Sequence, residues 1–414
     1  MKKKIVIVGG GIIGCVSAIY LNRYGHDVSI IEKSENLGGV LTDQKFNQDI
    51  FLKGTQYLDV NVEWFRVLKE LVPDLNIFDY SYGSYTNLNS FNFNSEDFAI
   101  PVFNFDLEKE NIQNNHYQYK SLADRINQYP EDIKSQLIKF FSNSEIDLNK
   151  ISSACVGNLG ISRVALIKNE NLKKLKSENK IIDDLYAIKR NEIYNHNLQY
   201  ALPKNGFTEF FLRLRKKLEK ENIKVFTNSR IFPEWKNGNL EIALNNKKIN
   251  NDCIFWSGNP THLIQKFLDS KLDSFVFRTL QVNANIENLK IKERFIQVYS
   301  KSSKIFRINL YNLNNIPKIG VECFFHKEDS KNILNEALGI LKKFKLELKY
   351  SETTINKNLI NRFDIFTISD KQTIEQFLQK TKNSNLLFSP WTSYGRTEKI
   401  EKILDNFKKL NLIN

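Results

Sequence analysis

The chain is poor in the residues that build metal centres and disulfide frameworks. Its four cysteines, Cys15, Cys155, Cys253 and Cys323, stand isolated along 414 residues, with no metal-ligand spacing and no pairing pattern. The five histidines, His26, His116, His196, His262 and His326, are scattered as well. The expectations are therefore no metal site and a reduced, cytoplasmic setting. No apolar run of about 18 residues occurs, so no transmembrane segment is expected. The opening Met-Lys-Lys-Lys is followed only by Ile5–Val8 and then by glycines, which reads as a strand and not as an export signal. Helix-turn-helix, zinc-finger and RNA-binding signatures are missing, so nucleic acid is not an expected partner. Neither a nucleophile elbow nor a Cys–His signature is visible, which leaves no triad chemistry to read. Internal repeats and long low-complexity tracts are absent.

What is present suits a folded, two-part protein. Hydrophobic residues make up 41% and aromatics 12%, enough to bury sizeable cores, and 414 residues suit two closely joined domains. The net charge of +13 reads either as a lysine-rich solvated surface or as attraction for an acidic partner, such as a phosphorylated small molecule or an anionic membrane face.

The most informative stretch is KIVIVGGGIIGCVSAIYLNRYGHDVSIIEK, residues 4–33. Ile5–Val8 is a continuous apolar run of the kind found in strands buried on both faces of a parallel sheet. Gly9, Gly11 and Gly14 follow it as G-x-G-x-x-G, which provides a tight turn, close approach of a diphosphate, and tight packing of helix on strand. A helix is expected over 12–24, with Ile12, Cys15 and Ile19 inward, Val16 and Tyr20 on the flank, and Gly25 as its stop. Its N-terminal N–H groups and dipole would face the diphosphate. A second strand, Val28–Ile31, ends at Glu32, whose carboxylate can accept both ribose hydroxyls of an adenosine and disfavours a 2′-phosphate. A nicotinamide or a flavin dinucleotide satisfies this much. The following KSENLGGVLTD adds a second doublet, Gly38-Gly39, a bare backbone patch suited to a longer, bent cofactor.

The stretch from Lys4 to Leu41 resembles the FAD-binding signature of the amine-oxidase superfamily, which includes protoporphyrinogen-oxidase-like enzymes and UDP-galactopyranose mutase. The resemblance implies FAD held along Gly9, Gly11, Ile12, Ile13, Gly14, Glu32, Lys33, Gly38, Gly39, Val40 and Leu41. It continues in pieces. FLKGTQYLDVNVEWFRVL (51–68) resembles the segment that runs beneath the flavin, with Gln56 where the mutases carry histidine, a departure that argues against the mutase. YALPKNGFTEFFLRLRKKLEKENIKVFTNSRI (200–231) resembles the family's Pro-Lys-x-Gly element, helix and returning strand, and implies that the Ile231 backbone meets the adenine. NDCIFWSGNPTHLI (251–264) and KIFRINLYNLNNIPKIGVECFF (304–325) are similar to a later strand-and-turn and to a strand pair of the substrate domain. NLLFSPWTSYGRTEKIEKILDNFKKL (385–410) resembles the closing element, whose final helix points its N-terminus, with Gly395 and Arg396, at the flavin.

The implied fold class is α/β: a discontinuous Rossmann-like FAD-binding domain (1–62, 203–265 and 384–414) and an α+β substrate domain (63–202 and 266–383) with a mixed sheet and helices. Helices are expected over 63–72 and roughly 120–145, broken at Pro130, and over 331–344. Residues 276–325 alternate apolar and polar, as strands do. Residues 78–119 read as loops or short strands, either spacer or substrate-facing.

Candidates for chemistry are Arg307, Arg362, Gln56 and Tyr57, with Trp391 and Tyr394 as possible walls of a flavin pocket. Arg307 sits between apolar residues on an expected strand, where it would contact substrate or pair with a partner such as Glu322. Arg362 is expected to be solvated. Residues 384–414 hold neither cysteine nor histidine, so covalent flavin attachment is not expected. The expected activity is that of an FAD-dependent oxidoreductase acting on a small-molecule substrate, with an anionic one suiting the charge. The alternatives are a flavin-dependent nucleotide-sugar mutase and a non-catalytic flavin-binding scaffold.

Overall fold

The computed structural model describes residues 2–85, 91–92, 100–101, 119–129, 131–144, 146–157, 159–161, 174, 177–178, 180–185, 199–287, 290–300, 302–324, 327–391 and 395–414. A five-stranded sheet, parallel throughout, has the order Lys224–Phe226, Asp27–Ile31, Lys4–Val8, Cys253–Trp256, Leu386–Phe388. Its strands come from the start, middle and end of the chain. The central strand is covered on both faces, which is why Ile5–Val8 is apolar at every position.

The helix Ile12–Arg23 packs behind the first strand through Ile12, Cys15, Val16 and Ile19, and turns off at Gly25 with φ +87°. The helix Gly206–Lys220 buries Phe207, Phe210, Phe211, Leu214 and Leu218, a stripe at helical spacing. The closing helix Arg396–Lys409 buries Ile400, Ile403 and Phe407 against the same core.

A second, six-stranded sheet has the order Asn356–Ile365, Phe275–Asn285, Ile316–Phe324, Ile305–Leu313, Arg294–Val298, Ser81–Tyr85. Every pairing is antiparallel except the last, so the sheet is mixed. Its two faces differ sharply. Leu280, Val282, Ala284, Ile308, Leu310, Ile319 and Val321 pack against the helix Ser330–Lys343. The alternate residues of the same strands, Gln281, Asn283, Arg307, Asn309 and Glu322, are buried and polar and look the other way.

That polar face meets a loop from the first unit. Gly54 N–H donates to Gln281 Oε1 at 2.8 Å, and Thr55 N–H donates to Glu322 Oε1 at 2.9 Å. The loop follows a hairpin, Asp43–Phe46 with Asp49–Leu52, turned by Asn47 at φ 55°. Helices occur at Glu63–Leu71, at Leu122–Ile126 with Glu131–Phe141, and at Ser330–Lys343, as the periodicity suggests. Much of 78–119 lies outside the described residues. Among those described, no helix is long and apolar enough to cross a membrane.

Candidate functional site

In open α/β sheets ligands bind beyond the carboxyl ends of the strands, and here those ends carry the glycine-rich turn. The three glycines do different jobs. A Cβ on Gly14 would lie 2.0 Å from Gly9 O, so helix and strand could not pack with any side chain there. A Cβ on Gly11 would meet nothing closer than Gly39 Cα at 3.9 Å. The front of Gly11 is open, so a diphosphate can reach bare main chain at that point. No side chain caps the helix that starts there and no acid stands in its first turn, so the N–H groups around Ile12, Ile13 and Gly14 are presented to an anion.

Gly38 and Gly39 lie against this turn, backbone to backbone. Gly38 N–H donates to Gly10 O at 2.9 Å, and the doublet adopts φ values of 124° and 60°. Gly10, which the motif leaves free, is also restricted: a Cβ there would meet Leu37 Cδ2 at 2.3 Å.

Glu32 is buried at the end of its strand. Its carboxylate accepts from Gly10 N–H at 2.7 Å and from Ser34 N–H at 2.8 Å, and each oxygen keeps a further lone pair for a hydroxyl donor. The chain around Phe226 and Ser229 bonds the Glu32 main chain, which brings Ile231, half-buried, to the same corner. Lys33 is exposed. Leu41 is fully buried, so its side chain belongs to the core and not to a ligand wall. Val40, in contrast, is 69% exposed.

Beyond Val40 the line of the cradle reaches the Lys53–Tyr57 loop. Gln56 is buried there, its Nε2 donating to Val40 O and Lys53 O. Tyr57 stacks on Tyr200 (centroids 4.1 Å apart) and Tyr80 (5.1 Å), and Tyr80 donates to Asn309 Oδ1. Gly395 stands at the N-terminus of the closing helix with φ +82°. Arg396 donates to Tyr57 O, and Thr397 to Asp59. Burial holds the Arg396 guanidinium below its usual range, with Asp59 and Tyr57 opposing that and Arg362 adding to it.

The structure corrects one expectation here. Arg362 is not solvated: its side chain is 8% exposed, and Nε donates to Glu322 Oε2 at 2.7 Å while the guanidinium lies on Gly54. The cause is Glu322, a carboxylate from another strand far away in sequence. Burial alone would raise the Glu322 carboxyl, but Arg362, Arg307 and the Thr55 N–H outweigh it and hold it below the ordinary range. Arg307, the cross-strand neighbour of Glu322, is 4% exposed; it donates to Gln297 Oε1 at 3.1 Å and lies 4.3 Å above the Phe306 ring. Gln56, Tyr57, Arg362 and Arg396 are thus brought together, with Arg307 behind Glu322.

Sequence reasoning missed a second group in the crevice. Asp364 accepts from Trp391 Nε1 at 3.2 Å and Asn259 Nδ2 at 3.1 Å, beside Lys399 on the first turn of the closing helix. Burial raises the Asp364 carboxyl and lowers Lys399. No local pattern marks this group, because its members come from four separate segments. Tyr394 lies outside the described residues. A surface hollow of about 580 Å³, lined by Leu71, Val72, Arg213 and Lys216 among others, shares no residue with the site.

Fold and cradle together define a Rossmann-type dinucleotide-binding protein with a second α+β unit set against its ligand face. The model of the NAD(P)-binding Rossmann-like domain matches residues 7–71. Over 57 residues the chain is 37% identical to 4-hydroxybenzoate brominase (decarboxylating) of Pseudoalteromonas luteoviolacea (strain 2ta16). That match spans 14% of this chain and only 11% of the brominase. Likeness to solved structures runs the whole length. Reduced UDP-galactopyranose mutase superposes with a TM-score of 0.69 at 14% identity, covering 100% of this chain and 94% of that one. Cyclohexylamine oxidase from Brevibacterium oxydans IH-35A gives 0.59 at 9% identity, covering 99% and 100%. The resemblance to the amine-oxidase superfamily is therefore borne out at the level of the fold, as is the α/β class.

Proposed function

We propose that the chain is an FAD-dependent oxidoreductase in which the bound flavin takes hydride from a C–N or C–C bond of a small organic substrate. The observation that carries this reading is the open front of Gly11 within an otherwise close-packed glycine turn. It leaves room for one thing, an anionic group on bare main chain, with Glu32 in reach of a ribose on one side and Val40 and Gln56 on the other.

In this reading residues 1–62, 203–265 and 384–414 hold the cofactor, and 63–202 with 266–383 supply the substrate side. Gly9, Gly11, Ile12, Ile13 and Gly14 seat the diphosphate, and Glu32 orients the adenosine ribose, with the Lys33 and Ile231 backbones beside it. Gly38, Gly39, Val40 and the Leu41 backbone line the stretch between the rings. Gly395 and Arg396 bring the positive end of the closing helix to the flavin edge. Tyr57, Tyr80 and Tyr200 exclude water from the reacting face, and the Arg307–Glu322–Arg362 group fixes the charge beneath it. The guanidinium content of that floor, with the net charge of +13, favours an anionic substrate.

The second reading, a nucleotide-sugar mutase that uses flavin without net redox, is favoured by the TM-score of 0.69 and disfavoured by Gln56 in place of histidine. One experiment separates the two. Anaerobic addition of amines, polyenes and nucleotide-sugars should bleach the yellow protein with one substrate class. Turnover of a nucleotide-sugar only after dithionite reduction, with no bleaching by any compound, would replace the oxidoreductase with the mutase.

A further inference from the structure

We infer that Gln56 Oε1 accepts the hydrogen bond of the flavin ring's N3–H; this rests on the FAD reading above. Gln56 is 4% exposed, and its Nε2 donates to two main-chain carbonyls, Val40 O and Lys53 O. Those partners fix which end of the amide is which, because the reverse orientation would set an oxygen against two oxygens. Oε1 is then left buried with no hydrogen-bond partner. A buried acceptor without a donor is costly, so a group that brings one is bound more tightly for it.

The position of Gln56 says which part of the ligand that is. Glu32 marks the adenosine end, and the Gly11–Gly39 contact marks the diphosphate. Val40 continues in the same direction, and Gln56 is tied to its carbonyl, so Gln56 stands past the diphosphate where the second ring system must lie. A diphosphate offers no donor. The oxidised flavin ring has a single N–H, at N3, while the ribityl hydroxyls are its competitors for Oε1. The carboxamide therefore does two jobs: it clamps the two loops of the cradle through Nε2 and reads the cofactor through Oε1.

The test is a binding cycle that needs no substrate. The protein is stripped of flavin and titrated with FAD and with N3-methyl-FAD, as wild type and as Gln56→Leu. Wild type should prefer FAD by roughly tenfold or more, and Gln56→Leu should bind FAD roughly tenfold more weakly. In the variant the preference should shrink to within about threefold, since the loss of either partner removes the same bond. An unchanged preference in Gln56→Leu overturns the inference, as does a wild type that binds both flavins equally, a result that stands even if the variant fails to fold. A wild type that binds neither flavin overturns the FAD reading itself.

Discussion

At the scale of single residues the glycine turn makes two opposite predictions. Gly11→Ala should leave the fold intact, since its methyl meets ordinary contact distances, yet occupy the place of the diphosphate. FAD affinity should fall at least tenfold with no change in the urea midpoint. Gly14→Ala should instead lower the midpoint, because its methyl cannot coexist with Gly9 O. Glu32→Ala should weaken FAD by about 1–3 kcal/mol through lost charged hydrogen bonds, as read by fluorescence titration. These residues were legible in the sequence because their contacts are local: strand, turn and helix are consecutive, and the motif encodes the spacing. Arg362 was not. Its neighbours Asn361 and Asp364 suggest a wet strand, while the partner that buries it comes from another strand of the sheet.

Among the elements, the closing helix joins the first core to the crevice. Ile403, 1% exposed, anchors it. Ile403→Ala should cost about 2–5 kcal/mol by urea unfolding, as large-to-small changes in a close-packed core do. The mixed sheet makes a different prediction. Glu322 is held below its ordinary value of 4.5, so the stability it contributes is present above about pH 4.5 and is lost as the pH falls through the folded value. Glu322→Gln should therefore flatten the acid limb of the stability curve and cost about 3 kcal/mol or more at neutral pH, where Arg362 would face a neutral amide. Helical and alternating periods made these elements readable. The hairpin Asp43–Leu52 was not, since both its strands are short and only half-buried, with Asn47 in the left-handed region as the one local sign of the turn.

For the molecule as a whole, the first sheet is assembled from strands at residues 4–8, 27–31, 224–226, 253–256 and 386–388, so its completion depends on the last stretch of chain finding the first. The crevice between the two sheets collects groups that no window of sequence contains together: Gln281 on Gly54, Glu322 on Thr55, and Asp364 between Asn259 and Trp391. The cofactor side was therefore readable from motifs and the substrate side was not, because the first is local and the second is made by long-range pairing. Everything proposed for activity depends on flavin lying along the cradle from Glu32 to Gln56. The most direct measurement is the near-UV and blue absorbance of the purified protein after incubation with FAD and gel filtration. The account predicts a yellow protein carrying close to one flavin per chain. A colourless protein that retains no flavin under these conditions, while remaining folded, would contradict it.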